Sequence, residues 1–167
     1  MKLLFRQMKP KDLAIVKAID KLAFPNPWPK NAFQYELEEN TNARLWVGEI
    51  QDGDKLELIA FAVIWIILDE AHIGTFAILP QYQQKGFGQQ FLALICKQLI
   101  DEKITKLFLE VRASNVNALN LYHKFGFTID GERKQYYRDN GETAILMSAS
   151  IKENNFYERF LLNGIYR

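Results

Sequence analysis

The 167-residue sequence has one cysteine, Cys96, so no disulfide can close within the chain, and a reducing, cytoplasmic setting is expected. Its two histidines, His72 and His123, have no metal-ligand companions at suitable spacing, which leaves no expected metal site. Neither sign of charge dominates, with 21 Lys plus Arg against 20 Asp plus Glu. No broad positive field is therefore available for a nucleic-acid backbone, and any anion must be held locally. Long hydrophobic runs are also missing. The longest, Leu58 to Leu68, falls short of the ~20 residues a spanning helix needs. Met1 to Asp20 shows no charged start followed by an apolar run and cleavage site. Neither a membrane segment nor export is expected. No repeat, low-complexity tract or interdomain linker breaks the chain.

About half of the residues are apolar (49%) and a quarter are charged (25%), the balance of one soluble globular domain. Leu3 to Arg6 reads as a first strand, and Leu13, Val16, Ile19 and Ala23 recur at helical spacing after Pro10. Pro25, Pro27 and Pro29 end that helix in a rigid loop carrying Trp28. A second helix is expected over Asn31 to Glu39, then a strand over Arg44 to Ile50. The run Leu56 to Leu68 suits a strand buried within a sheet, and His72 to Leu79 is the next, stopped by Pro80. From Gly88, Phe91, Leu92, Ile95, Leu99 and Ile100 mark a helix with one apolar face. A strand over Lys106 to Val111 follows, then a helix over Asn117 to Lys124 capped by Gly126. Phe127 to Tyr137 and Thr143 to Ile151 flank Asp139-Asn140-Gly141, a hairpin signal. This order predicts an α/β (α+β) domain over residues 1–151, with a mixed, mostly antiparallel central sheet flanked by helices. The piece from His72 to Val111 is expected to be a right-handed parallel crossover.

The chemistry is sought in that crossover. Gln83-Gln84-Lys85-Gly86-Phe87-Gly88 lies between a strand and a helix, where free backbone N–H groups and the helix dipole favour an anion such as a pyrophosphate. Two glycines let backbone approach phosphate oxygens, and Lys85 adds a positive charge. The stretch lacks the third glycine of a dinucleotide fingerprint and the Gly-Lys-Ser/Thr ending of a P-loop. Taken alone, Gly-x-Gly before a helix also fits ordinary turn chemistry. Gln83 to Gly88 resembles the Gln/Arg-x-x-Gly-x-Gly/Ala signature of the GNAT superfamily of N-acetyltransferases. One helix and one strand later, Leu109-Glu110-Val111-Arg112-Ala113-Ser114-Asn115, Ala118 to Tyr122 and Gly126-Phe127 resemble the ribosomal-protein alanine N-acetyltransferases, the RimI type, within it. The resemblance covers Lys2 to about Ile151 and is strongest from Thr75 to Phe127.

The resemblance implies an acetyl-CoA-dependent enzyme of GNAT-like fold that acetylates a protein N-terminus, namely the alanine of a small-subunit ribosomal protein. It implies Glu110 as general base, taking the ammonium proton directly or through water, and Tyr122 as general acid for the departing coenzyme A sulfur. Phe76, Ala77 and Ile78 would face the acetyl and pantetheine portion, Gln84, Lys85, Gly86, Phe87, Gly88 and Gln89 the pyrophosphate, and Asn115 the pantetheine arm. Trp28 and Tyr136-Tyr137 would wall the peptide cleft. By residue type alone, Glu110 also fits a strand-end carboxylate paired with Arg112 or Lys106, and Tyr122 a core aromatic. Trp28, Tyr136 and Tyr137 equally fit half-buried aromatics, and Cys96 a small core residue.

Two features depart from the family pattern: Glu142-Thr143 stands where an acidic pair is frequent, and the proline loop is longer. They keep open acetylation of a small amine or lysine side chain; a second alternative is a non-catalytic acyl-CoA-binding sensor whose C-terminal tail contacts a regulatory partner. The protein is expected to act as a monomer or weak homodimer. The extension 152–167, with Phe156, Tyr157, Phe160, Leu161 and Leu162, reads either as a docking helix or as a partly ordered terminus.

Overall fold

A computed structural model describes residues 2–151, and in it the long apolar run lies at the middle of the protein. β3 (Lys55–Ile67) pairs antiparallel with β2 (Ala43–Asp52) on one side and β4 (Glu70–Ile78) on the other. Both faces of β3 are covered, which is why its apolar residues run on without polar alternation. Ala60, Ala62 and Ile64 join a core cluster with α3 (Phe87–Asp101). Phe61 and Val63 join a second with Val16 and Ile19 of α1 (Leu13–Ala23) and Phe33 of α2 (Ala32–Glu38). A bulge opposite Gly48 and Glu49 breaks the alternation and puts Ile59 and Ala60 in the same cluster.

β1 (Lys2–Gln7) pairs with β2; β5 (Lys106–Arg112) lies beside β4, β7 (Ala144–Ser150) beside β5, and β6 (Thr128–Arg133) at the far edge. The order is β1-β2-β3-β4-β5-β7-β6, and within this sheet only β4 and β5 run parallel. This is the mixed, mostly antiparallel sheet the sequence predicted, with α3 as the crossover. Tyr122 of α4 (Val116–Lys124) and the Phe125 that follows it belong to the same core as α3. Near the outer edge, Arg6 bridges Asp12 (Nη1–Oδ2 2.7 Å) and Glu49 (Nε–Oε2 3.0 Å), tying β1 and β2 to the turn before α1. The Arg6 hydrogen bonds hold the Asp12 carboxyl below its ordinary pKa.

Two boundaries differ from expectation. β4 begins at Glu70 because Leu68 and Asp69 alone make the turn from β3, with Leu68 in the left-handed region at φ 57°. The last hairpin is not tight. β6 stops at Arg133, and residues 134–143 form a loop in which the Tyr136 and Tyr137 N–H groups both donate to Glu142 O at 3.2 Å. Tyr136 and Tyr137 therefore lie in a loop and not on a strand. The extension 152–167, read as either a docking helix or a partly ordered terminus, lies outside the described residues. Among the described residues, no helix is long and apolar enough to cross a membrane.

Candidate active site

The parallel pairing at the crossover is short. Glu70 to Ile73 pair with Lys106 to Leu109, and the ladder then ends although β4 runs on to Ile78 and β5 to Arg112. Gly74 marks the break as a bulge, the extra residue between the pairs Ile64–Ile73 and Val63–Thr75. Beyond it a cleft of about 860 Å³ is lined by residues of both strand ends, of the 83–89 turn and of α4. β4 stays paired with β3 through Ile78, but its other edge is left open by β5 at Phe76 and Ala77, while the Ile78 carbonyl accepts Gln83 Nε2 at 2.9 Å; an open strand edge suits an extended, amide-bearing ligand. The cleft thus joins an open strand edge to the N-terminus of a helix.

The 83–89 turn leads into the N-terminus of α3. Gln84 and Gly86 both adopt left-handed backbone, φ 58° and 85°. Gly86 is the N-cap of α3 and supplies no side-chain cap, so the first-turn N–H groups of the helix are left for another acceptor. Gln84, Gly86, Gly88 and Gln89 line the cleft, whereas the side chains of Lys85 and Phe87 do not. Phe87 is buried in the α3 core, edge-on to Tyr82 at 6.1 Å, and Lys85 Nζ sits 5.5 Å from the Tyr82 ring centre. Neither Lys85 nor Phe87 is therefore among the residues that line the cleft.

On β5 the pleat alternates, with Leu107, Leu109 and Val111 buried and Glu110 and Arg112 on the other face; both of the latter line the cleft. Glu110 is 35% exposed and pairs with Arg133 Nη1 at 3.4 Å, not with Arg112 or Lys106 as residue type alone allowed. Tyr122 reaches the same cleft from α4, and its placement follows from how that helix ends. Gly126 takes φ 77°, its N–H donates to His123 O, and the Phe127 N–H donates back to Tyr122 O, both at 3.1 Å. This double closure needs a left-handed residue, hence glycine, and brings the Phe127 ring to 5.4 Å from the Tyr122 ring. Burial pushes the Tyr122 hydroxyl well above its ordinary pKa, with nearby Tyr137 adding to the effect, so it stays protonated. Asn115 caps α4 by accepting the Ala118 N–H at Oδ1, 3.1 Å, which leaves its amide donors for the cleft.

The walls come from two loops. The Trp28 N–H donates to the buried Asp20 Oδ2 at 2.7 Å, and its ring stacks on Phe33 and Trp65 at 4.9 and 6.0 Å. Burial raises the Asp20 carboxyl pKa, against the pull of the Trp28 bond. Opposite in sequence, Tyr137 lines the cleft and Tyr136 does not. Tyr136 is 42% exposed, and the neighbouring Glu110 carboxylate pushes its hydroxyl up. Arg112 stacks its guanidinium 3.9 Å from the Tyr137 ring centre and bonds Asp139 and Glu142.

Sequence reading did not single out Thr75, Arg112, Asn117, Asn120 or Lys124 as lining residues. Asn117, Asn120 and Lys124 recur at helical spacing on α4, a polar stripe beside apolar Leu121 that signals a solvated cleft face. Elsewhere, Cys96 is buried and its thiol is pushed up to about 12, so it is an inert core residue. His72 stacks on Phe108 at 4.9 Å, and His123 Nδ1 lies 3.3 Å from Phe127 O.

A model of the Acetyltransferase (GNAT) family matches residues 13–127. A Bacillus subtilis protein to which ribosomal protein bS18-alanine N-acetyltransferase activity is provisionally ascribed is 38% identical over 148 residues, 89% of this chain and 95% of the relative. The ribosomal protein bS18-alanine N-acetyltransferase of Escherichia coli K12 is 34% identical over 143 residues, 84% of this chain and 92% of the relative. The crystal structure of an Escherichia coli ribosomal-protein-S18-alanine N-acetyltransferase superposes with a TM-score of 0.80 at 30% identity, covering 92% of this chain and 96% of that one.

Proposed function

Because the chain belongs to the GNAT family and is an acetyl-CoA-dependent N-acetyltransferase, we propose that it acetylates the N-terminal alanine of a ribosomal protein of the bS18 type. The observation that carries this reading is the parting of β4 and β5 after Ile73 and Leu109, which leaves one cleft lined by both Glu110 and Tyr122. Identity to N-terminal alanine acetyltransferases along nearly the whole chain supports the choice of amine.

Acetyl-CoA supplies an activated thioester carbonyl to this site. Backbone N–H groups at 84–89 hold its pyrophosphate, with the dipole of α3 behind them. Phe76 to Ile78 offer strand-edge amides to its acetyl and pantetheine portion, and the Asn115 amide donates to the arm. Glu110 removes a proton from the substrate ammonium, and the buried Tyr122 hydroxyl donates to sulfur as the C–S bond breaks. The amine nitrogen gains the acetyl carbon and gives up its second proton to restore Tyr122, coenzyme A leaves as its thiol, and the proton held by Glu110 passes to solvent. Trp28 and Tyr137 wall the entering peptide.

Peptides starting with free Ala, Ser or Met and a blocked peptide, each incubated with acetyl-CoA, test the substrate. Coenzyme A release with a mass gain on the free Ala peptide is expected. Turnover confined to lysine side chains or polyamines would retain the donor and discard the N-terminal reading, and tight acetyl-CoA binding without turnover on any amine would discard catalysis.

The donor loop gives a separate expectation. A Cβ at Gly86 has nothing within 4 Å but sits at φ +85°, so Gly86→Ala costs about 1 kcal/mol of backbone strain there. The variant is expected to raise KM for acetyl-CoA about five- to tenfold with kcat at saturation little changed. Initial rates over an acetyl-CoA series check it; a peptide KM that rises equally would mean the loop does not serve the donor.

A further inference from the structure

We propose that Arg112 is a positioning residue that clamps the 134–143 loop onto β5 and so sets the peptide-binding wall. This rests on the reading of the cleft as a peptide acetylation site. Arg112 lies two residues beyond Glu110 on the same face of β5. Its Nη2 bonds Asp139 Oδ2 at 3.0 Å, and its Nη1 lies 3.2 Å from Asp139 Oδ1, 3.3 Å from Glu142 Oε2 and 3.4 Å from Asn140 Oδ1. The Glu142 carboxylate also accepts the Ser114 N–H at 2.6 Å, so one side chain joins the guanidinium to the turn before α4. Hydrogen bonds from Ser114, with Asn140 and Arg112 adding, hold the Glu142 carboxyl down at about 2.

The consequence falls on Tyr137. Its ring lies against the guanidinium, its N–H is held by Glu142 O, and its carbonyl accepts the Gly141 N–H at 2.7 Å. Every one of these contacts passes through the loop that Arg112 grips. The clamp is partly shielded from water, with Arg112, Asp139 and Glu142 side chains 16%, 23% and 14% exposed. Removing the guanidinium leaves Asp139 and Glu142 without their shared cation, on the face of the sheet that carries Glu110. Mutual repulsion of carboxylates then favours lifting the loop, and with it Tyr137, away from the cleft. A planar fork is required here because a lysine ammonium can neither bridge two carboxylates with the same geometry nor stack on the tyrosine.

Arg112→Met in the full chain is expected to raise KM for an Ala-starting peptide about tenfold while KM for acetyl-CoA changes less than about twofold. Arg112→Lys should recover only part of that loss. Trypsin cleavage after Lys134 and Arg138, followed by mass spectrometry, should accelerate several-fold relative to sites elsewhere in the chain. Unchanged loop cleavage, or equal increases in both KM values, would overturn the clamp. Should Arg112→Met fail to fold, the pair Asp139→Asn with Glu142→Gln removes the grip from the loop side and must give the same selective result. If the wild-type protein acetylates no peptide, the substrate reading fails, yet the cleavage ratio still decides whether Arg112 holds the loop.

Discussion

Glu110→Gln is expected to lower kcat for an Ala-starting peptide at neutral pH by about 10²- to 10³-fold. An α-amino group titrates near 7.7–8.0, so at pH 7 most of the substrate carries a proton that must leave before nitrogen can attack. Glutamine keeps the shape of the side chain and cannot accept that proton. The sign of the pH effect follows. As pH rises past the amine pKa, the substrate arrives already neutral and the penalty shrinks, so the ratio of wild-type to variant rates should fall between about pH 7 and 9. Stability should hardly move. The Arg133 partner stands at 3.4 Å from a carboxylate that is 35% exposed, and such surface pairs are worth about 0–1 kcal/mol. A variant within about threefold of wild type at pH 7 would return Glu110 to the role of an ordinary strand carboxylate.

Tyr122→Phe is expected to lower kcat by about 10²-fold, with KM for acetyl-CoA within about threefold. The hydroxyl is protonated throughout the working range because burial raises its pKa. A phenol near 10 is already a weaker acid than a thiol of pKa ≈ 8.5, and burial widens the gap, so proton transfer from the hydroxyl is by itself uphill. Its larger contribution is a hydrogen bond to sulfur that strengthens as negative charge develops, which places the expected effect below that of Glu110. Phenylalanine leaves the ring packed on Phe127 and opens no cavity of methyl size or more, so the melting temperature should shift by only a few degrees. Intact stability with lost turnover would separate chemistry from packing; wild-type turnover would make Tyr122 a core aromatic and nothing more.

Much of the fold was legible because its signals are local. The apolar run of β3, Pro80 after β4, the helical spacing in α3 and Gly126 after α4 each act on their immediate neighbours. The C-terminal hairpin pairs as expected, and only the early end of its first strand, at Arg133, was not legible, for the converse reason. Asp139-Asn140-Gly141 is a fair turn signal, but Glu142 O captures the Tyr136 and Tyr137 N–H groups, and that competition is invisible to a turn rule. The side chain of Phe87 was not placed by its motif. An aromatic in the first turn of an amphipathic helix is drawn into the core, and which face it joins depends on what packs there.

The sequence by itself determined which elements form and which residues can accept a proton, donate one or leave backbone free for phosphate, since these depend on residue type and short spacing. Only the tertiary structure decided that β4 and β5 part after four paired residues, because a bulge at Gly74 and the pairing of β5 with β7 act across the sheet. It also decided the partners of charge. Glu110 meets Arg133, and Arg112 meets Asp139 and Glu142, 27 and 30 residues away, because the strand order β5-β7-β6 carries those residues back beside β5.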